Sequence, residues 1–402
     1  MALDAWLYDA IRTPRGRAKD SGGLYDLTPH ELLRRLYDAL QARTALDPAL
    51  IGDVVLGCVT QHGEQAGNIA KTSALYAGWP ASVGGITVNR FCSSSIDAIN
   101  FAALKVASGQ EQAVVAGGVE MMSRVPMLSD AASVFADPAY AARCHMLLMG
   151  SGADLIASLN GVTREQADAV ALQSQQRAAA AQAQGYFRSV IAIDNPVKGM
   201  TVARDECVRP DTTAQGLAAM PAAFAQLGVA GADAIQLAAH DHLEAIEHIH
   251  TAGNSPAMAD AAALLLLGSQ GLGDTLGIEP RARVVAATVA SDDPLQVLTG
   301  CIAATARLLR EQGLGVDDVD LFEIHEAFAA TMVVAQRDLG IAADRLNVNG
   351  GVIALGHPMG ATGAIMTLTL LDELERRGLK RGIVAASGAG GSGSALLIER
   401  LV

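Results

Sequence analysis

One thiol and two imidazoles stand in settings suited to acyl transfer. Cys92 lies in Ile86-Thr-Val-Asn-Arg-Phe-Cys92-Ser-Ser-Ser-Ile-Asp, between a strand-like run and a helix-like one. A cysteine at such a turn has its sulfur near the unsatisfied N–H groups of a first helical turn. That position favours the thiolate, the nucleophilic form of cysteine. Cys92 also reads as a small buried apolar side chain, the ordinary fate of an isolated Cys in an apolar chain. His325 ends the strand-like part of Asp320-Leu-Phe-Glu-Ile-His325-Glu-Ala-Phe-Ala329. His357 sits in Asn347-Val-Asn-Gly-Gly-Val-Ile-Ala-Leu-Gly356-His357-Pro-Met-Gly360-Ala-Thr-Gly363, and a glycine turn, Ser387-Gly-Ala-Gly-Gly-Ser-Gly393, follows a strand-like run. Ligands of layered α/β folds gather at the carboxyl ends of strands. There a thiol can attack a carbonyl, a histidine can move its proton and N–H groups can hold the oxyanion.

The elements that must position these groups alternate along the chain. Residues 1–120 carry strand signals at Trp6–Ala10, Asp53–Cys58, Val83–Val88 and Ala113–Ala116, with helices over Pro29–Ala42 and Ser93–Ser108. Residues 275–402 repeat the rhythm, with strands at Ala282–Val289, Val319–Ile324, Asn347–Val348 and Arg381–Ala386 and helices at Leu298–Gln312, Ala327–Leu339 and Thr362–Arg377. Two such halves imply a layered α/β sandwich with mostly buried sheets. Residues 121–250 differ: an Ala- and Gln-rich helix, Thr163–Gln184, precedes loop-like sequence with the polar run Arg204–Thr213. Insertions of this size are usually functional.

Bulk properties exclude several classes. The chain has 402 residues, is 50% hydrophobic but only 4% aromatic, and has 41 glycines. No apolar stretch approaches the ~20 residues of a spanning helix, and the first residues lack the basic region and cleavage site of an export signal. Five scattered cysteines (58, 92, 144, 207 and 301) lack C-x-x-C spacing and fit a reducing, cytoplasmic setting. A net charge of −13 argues against a nucleic-acid partner. From Arg124 to His250 there are 8 basic against 13 acidic residues. Phosphates bound there would depend on local cations such as Lys198, Arg204 and Arg209, and for Lys198 and Arg209 a solvated surface role competes with that reading.

The chain resembles the thiolases (3-ketoacyl-CoA thiolases and acetyl-CoA acetyltransferases), over nearly its whole length. Asp9-Ala-Ile-Arg-Thr-Pro-Arg-Gly16, Val88-Asn-Arg-Phe-Cys92-Ser-Ser, Gly117-Gly-Val-Glu-Met-Met-Ser123, Thr251-Ala-Gly-Asn254 and the Asn349–Gly363 run carry the resemblance in the family's order. It implies a five-layered αβαβα sandwich of two similar halves with an inserted loop domain, assembled as a homodimer or homotetramer. The halves would be 1–120, completed by about 251–274, and 275–402; 121–250 would be the CoA-binding loop domain. It also implies a CoA-dependent acyltransferase that cleaves 3-ketoacyl-CoA or runs the reverse condensation, with acyl-CoA and CoA as substrates and no tightly bound cofactor or metal. Cys92 would carry the acyl group, His357 would activate it, and His325 would orient an oxyanion-hole water. The N–H groups of Cys92 and Ala389 would form a second oxyanion hole. Met149, Ala327 and Phe328 would line the CoA site, together with Ala252 of the 251–254 motif and the cation Arg209.

Departures from the family pattern open a second reading, a catalytically impaired CoA-binding or scaffold protein. Ser387 stands where the family has its second catalytic Cys, which exchanges a proton with the substrate α-carbon. A serine hydroxyl is a poor base at neutral pH. Pro256 replaces a usual Ser, and Phe224–Thr251 is longer than in many members, as in some bacterial degradative ones. Two look-alikes fail. Gly388-x-Gly390-x-x-Gly393 is too close to the end of the sequence for a dinucleotide fold, and His325-Glu326 lacks a second His at Ala329. His240, His242, His248 and His250 read as a solvated polar helix or loop rather than a metal site.

Overall fold

The computed structural model describes residues 3–401; residues 1, 2 and 402, the outermost of the two expected halves, lie outside it. Ten strands make one mixed sheet: β1 (Ala5–Arg12), β2 (Gly16–Arg17), β3 (Asp53–Gly57), β4 (Ile86–Val88), β5 (Ala113–Met121), β6 (Ala259–Gly268), β7 (Ala282–Ser291), β8 (Leu321–Ile324), β9 (Arg381–Ser387) and β10 (Ser392–Arg400). Their order is β8-β9-β10-β7-β1-β6-β5-β3-β4, with β2 beside β6. The helices that matter are α1 (Pro29–Thr44), α2 (Ile69–Tyr76), α3 (Ser94–Ala107), α4 (Met149–Asn160), α5 (Arg164–Ala183), α6 (Gly300–Gln312), α7 (Ala329–Leu339) and α8 (Thr362–Arg377).

The period of two along each strand builds the layers. Leu264 and Leu266 of β6 join Leu32 and Leu36 of α1 and Ile69 of α2 in an outer core. Leu265 and Leu267 turn the other way, onto α3 and α8. In the second half, Ile383 and Ala385 meet α6 and α7, while Val384 and Ala386 share the core of α3 and α8. Two helices are thus enclosed between two β layers, each covered outside by helices, which is the αβαβα sandwich. The halves also join edge to edge, since β1 pairs with β7 from Ala5↔Val284 to Leu7↔Ala282. β6, buried at all ten positions, is a central strand that the alternation signals did not mark.

Three expectations change. Asn347–Val348 is no strand: Asn347 takes φ +44°, and its amide accepts from Ile324 N–H and donates to the Ile324 carbonyl, standing in for a strand partner. The histidine-rich stretch is solvated only in part: His242 is exposed, but the end of the stretch turns inward. His250 is fully buried, and both His248 and His250 bond Asp154 of α4 through Nδ1, at 2.9 and 2.7 Å. An unpaired buried carboxylate is costly, so these imidazoles and two backbone N–H groups gather on it. Lys198 serves the fold, donating to the carbonyls of Asp20 and Gly22. Within the Arg204–Thr213 run, Asp205 is buried between Arg12 and Arg15. Among the described residues no helix is long and apolar enough to cross a membrane.

Candidate active site

Cys92 is presented by a sharp turn between β4 and α3. Phe91, just before it, has φ +51°, its N–H held by Asn89 Oδ1 at 2.8 Å. A left-handed non-glycine residue costs of order 1–3 kcal/mol and persists only where the surroundings fix it. Here Ser94 Oγ accepts from Arg90 N–H, and Ser93 Oγ donates to the Arg90 carbonyl. The polar run after Cys92 therefore fastens the turn.

The Cys92 sulfur lies 3.1 Å from His357 Nε2, and His357 Nδ1 lies 2.8 Å from Thr362 Oγ1 at the start of α8. A thiol donating to Nε2 requires the tautomer with its proton on Nδ1, donated to the threonine. Burial, the nearby His325 and Arg15 hold the His357 pKa well below the imidazole range, so the ring is neutral and ready to accept. Burial and the Glu120 carboxylate push the Cys92 thiol up to about 12. This corrects the sequence-level expectation of a resting thiolate: desolvation outweighs the helix terminus, and the pair rests as neutral thiol and neutral imidazole. Alkylation of Cys92 by iodoacetamide should therefore rise about tenfold per pH unit from pH 7 to 9. A plateau beginning below pH 7, measured by intact mass, would instead reveal a preformed thiolate–imidazolium pair.

Glu120 organises the floor of the site and was not singled out from the sequence. At the end of β5 it accepts from Val59, Thr60 and Gly360 N–H and from Gln65 Nε2, at 2.7–3.1 Å. It thereby fastens the His357 loop to the first half. The available signal was a lone carboxylate in a strand buried at all nine positions.

Cys92, His325 and His357 share a cavity of about 340 Å³ with Met149, Ala327 and Phe328. Phe224 and Leu227, from the long insertion, close one wall. Phe328 is held edge-on between Phe224 and His250, with centroids 5.5 and 5.4 Å away. Ser255 and Pro256 also line the cavity, and the buried Ser255 hydroxyl has no partner among the described residues. Arg209 and Ala252 are exposed and outside this lining. The N–H groups of Cys92 and Ala389 meet no backbone acceptor among the described residues.

His325 continues β8 by donating its N–H to the Ala385 carbonyl. Its ring stands 4.6 Å from that of His357, centroid to centroid. Ser387, expected at the second acid/base position, is placed differently. Its fully buried hydroxyl donates to the Leu298 carbonyl at 2.6 Å and accepts from Cys301 N–H at 2.9 Å, and its side chain is not in the cavity lining.

Comparison with known proteins follows the same lines. Family models described as "Thiolase, N-terminal domain" and "Thiolase, C-terminal domain" match residues 6–238 and 278–400. The chain is 36% identical to a 3-ketoacyl-CoA thiolase of Aliivibrio fischeri, over 98% of each. It is 36% identical to the 3-oxoadipyl-CoA/3-oxo-5,6-dehydrosuberyl-CoA thiolase of Escherichia coli, over 99% of this chain and all of that one. The crystal structure of the Bacillus anthracis acetyl-CoA acetyltransferase superposes with a TM-score of 0.84 at 33% identity, covering 100% of this chain and 99% of that one.

Proposed function

The chain belongs to the thiolase family, and on that premise we propose how its site works and which acyl groups it takes. It is a CoA-dependent acyltransferase of thiolase type, cleaving 3-ketoacyl-CoA with CoA or running the reverse condensation. The observation that carries the mechanism is the 3.1 Å contact between Cys92 and His357 in a largely apolar cavity. His357 Nε2 takes the thiol proton as the sulfur attacks the 3-keto carbon. The N–H groups of Cys92 and Ala389 hold the oxyanion of the Cys92 thioester. A catalytically inert scaffold would have no need of this neutral thiol–imidazole pair. Residues 121–250 form the loop domain that holds CoA, with Met149, Ala327 and Phe328 along its pantetheine arm and Arg209 and Ala252 nearer the surface.

The cavity walls favour an uncharged acyl chain. Five methionines line it (122, 127, 149, 258 and 359), with leucine and phenylalanine between them, and no Lys, Arg, Asp or Glu. Thioether side chains are soft and fill irregular gaps, so bulky or long apolar groups fit. A buried carboxylate without a partner costs several kcal/mol. We expect kcat/KM for thiolysis of a medium-length neutral 3-ketoacyl-CoA to exceed that of its ω-carboxy counterpart by at least about 100-fold. Equal values would refute the assignment of the acyl chain, and turnover of neither would refute thiolysis itself.

Breakdown of fatty acyl chains in the cytoplasm fits this lining and the five free cysteines. A homodimer through the edge of β4 fits its surroundings. That edge has no partner strand among the described residues, and Leu75, Tyr76, Ile86, Phe101 and Leu104 lie exposed on it and on the two helices packed against it. Sedimentation velocity should give twice 41.4 kDa; a species of 41.4 kDa at micromolar concentration would exclude the dimer.

A further inference from the structure

We propose that His325 is the acid that protonates the substrate α-carbon during cleavage, and the base that removes that proton in the reverse direction. The inference rests on the thiolase reading of the site. Carbon–carbon cleavage leaves an electron pair on C2 of the departing acetyl-CoA, and a group in the cavity must supply a proton to it. Ser387 is not placed for that work. Its proton is held by the Leu298 carbonyl, its oxygen already accepts from Cys301 N–H, and its side chain is outside the cavity lining.

His325 has the geometry that Ser387 lacks. Its side chain lines the same cavity as Cys92, beside the His357 ring, and the residue is only 1% exposed. Neither ring nitrogen has a hydrogen-bond partner among the described residues. Buried polar groups are rarely left so, and each exception calls for a ligand, a water or a catalytic role. His325 follows directly on β8, and its N–H is held by the carbonyl of Ala385 on the neighbouring β9, two residues before position 387. Burial pulls its pKa down to about 4, which makes the protonated ring a strong acid, apt to give its proton to carbon.

The proton balance closes within the two rings. Cys92 Sγ bonds to C3 and gives its proton to His357 Nε2. The C3–C2 bond breaks with its electron pair on C2, and the proton passes through His325 to C2, releasing acetyl-CoA. Next the CoA thiol gives its proton to His357 Nε2 while its sulfur attacks the Cys92 thioester carbon. Cys92 leaves as thiolate and regains the proton through His357. The rings, 4.6 Å apart and each made harder to protonate by burial, need hold only one proton at a time.

The alternative is that His325 only orients an oxyanion-hole water. Asparagine separates the two, because it keeps a hydrogen-bond donor but moves no proton at neutral pH. The measurement is exchange of the methyl hydrogens of acetyl-CoA with D₂O, by mass spectrometry, in wild type, His325→Asn and His325→Ala. Acetylation of Cys92 is followed in the same samples. We expect both variants to lose at least about 100-fold in exchange, with Cys92 acetylated within about threefold of the wild-type rate. Exchange in His325→Asn within tenfold of wild type would overturn the proposal, as would equal loss of acetylation and exchange. Failure of wild type to acetylate Cys92 would instead overturn the thiolase reading beneath it.

Discussion

Cys92→Ala is expected to remove thiolysis almost completely, lowering kcat by about 10⁴–10⁶-fold, the range seen when a covalent nucleophile is deleted. No other thiol is placed to take over. Cys58 is buried against Glu120, and Cys207 and Cys301 are buried outside the cavity lining. Cys144 is exposed, outside the cavity lining. Steady-state thiolysis with a neutral 3-ketoacyl-CoA measures the loss. Retention of more than about a hundredth of the wild-type rate would show that the acyl group does not travel on Cys92.

His357→Asn should be nearly as damaging, and its effect should fall on the first chemical event. The thiol, pushed up to about 12 by burial and Glu120, carries almost no thiolate at neutral pH, so attack needs a base that takes its proton as the bond forms. Asparagine can still donate a hydrogen bond to sulfur but accepts no proton. Rapid-quench measurement of acyl-Cys92 should show acylation slowed by about 10²–10⁴-fold, the ordinary value of a general base. Should the rate stay within threefold of wild type, His357 merely positions the sulfur. Thr362, which fixes the His357 tautomer through Oγ1, would then matter little too.

Much of this could be read from residue order, and the parts that could not share a cause. The strand-to-helix turn at Cys92, the two halves and the motifs of His325 and His357 are local patterns, legible because period and capping chemistry are local. The union of Cys92 with His357 spans 265 residues; strand-end placement made it plausible, and the motif resemblance named the pair. The protonation state of Cys92 was misread because helix-terminus chemistry is visible in sequence and desolvation is not. Asn347 looked like strand because its neighbours are apolar, whereas its side chain does the pairing with Ile324. β6 escaped notice because a continuous buried run has no alternation to detect. The work of Glu120 and Asp154 was hidden for a further reason: a buried carboxylate shows its role only through its partners, and these come from distant parts of the chain.

The most direct test of the account is the covalent intermediate itself. Wild-type protein is mixed with a neutral 3-ketoacyl-CoA in the absence of free CoA, quenched in acid, and examined by intact mass and peptide mapping. The account predicts an added mass equal to the acyl group shortened by two carbons, located on Cys92 and missing from Cys92→Ala. An adduct on any other residue, or cleavage of the substrate with no adduct at all, would contradict it.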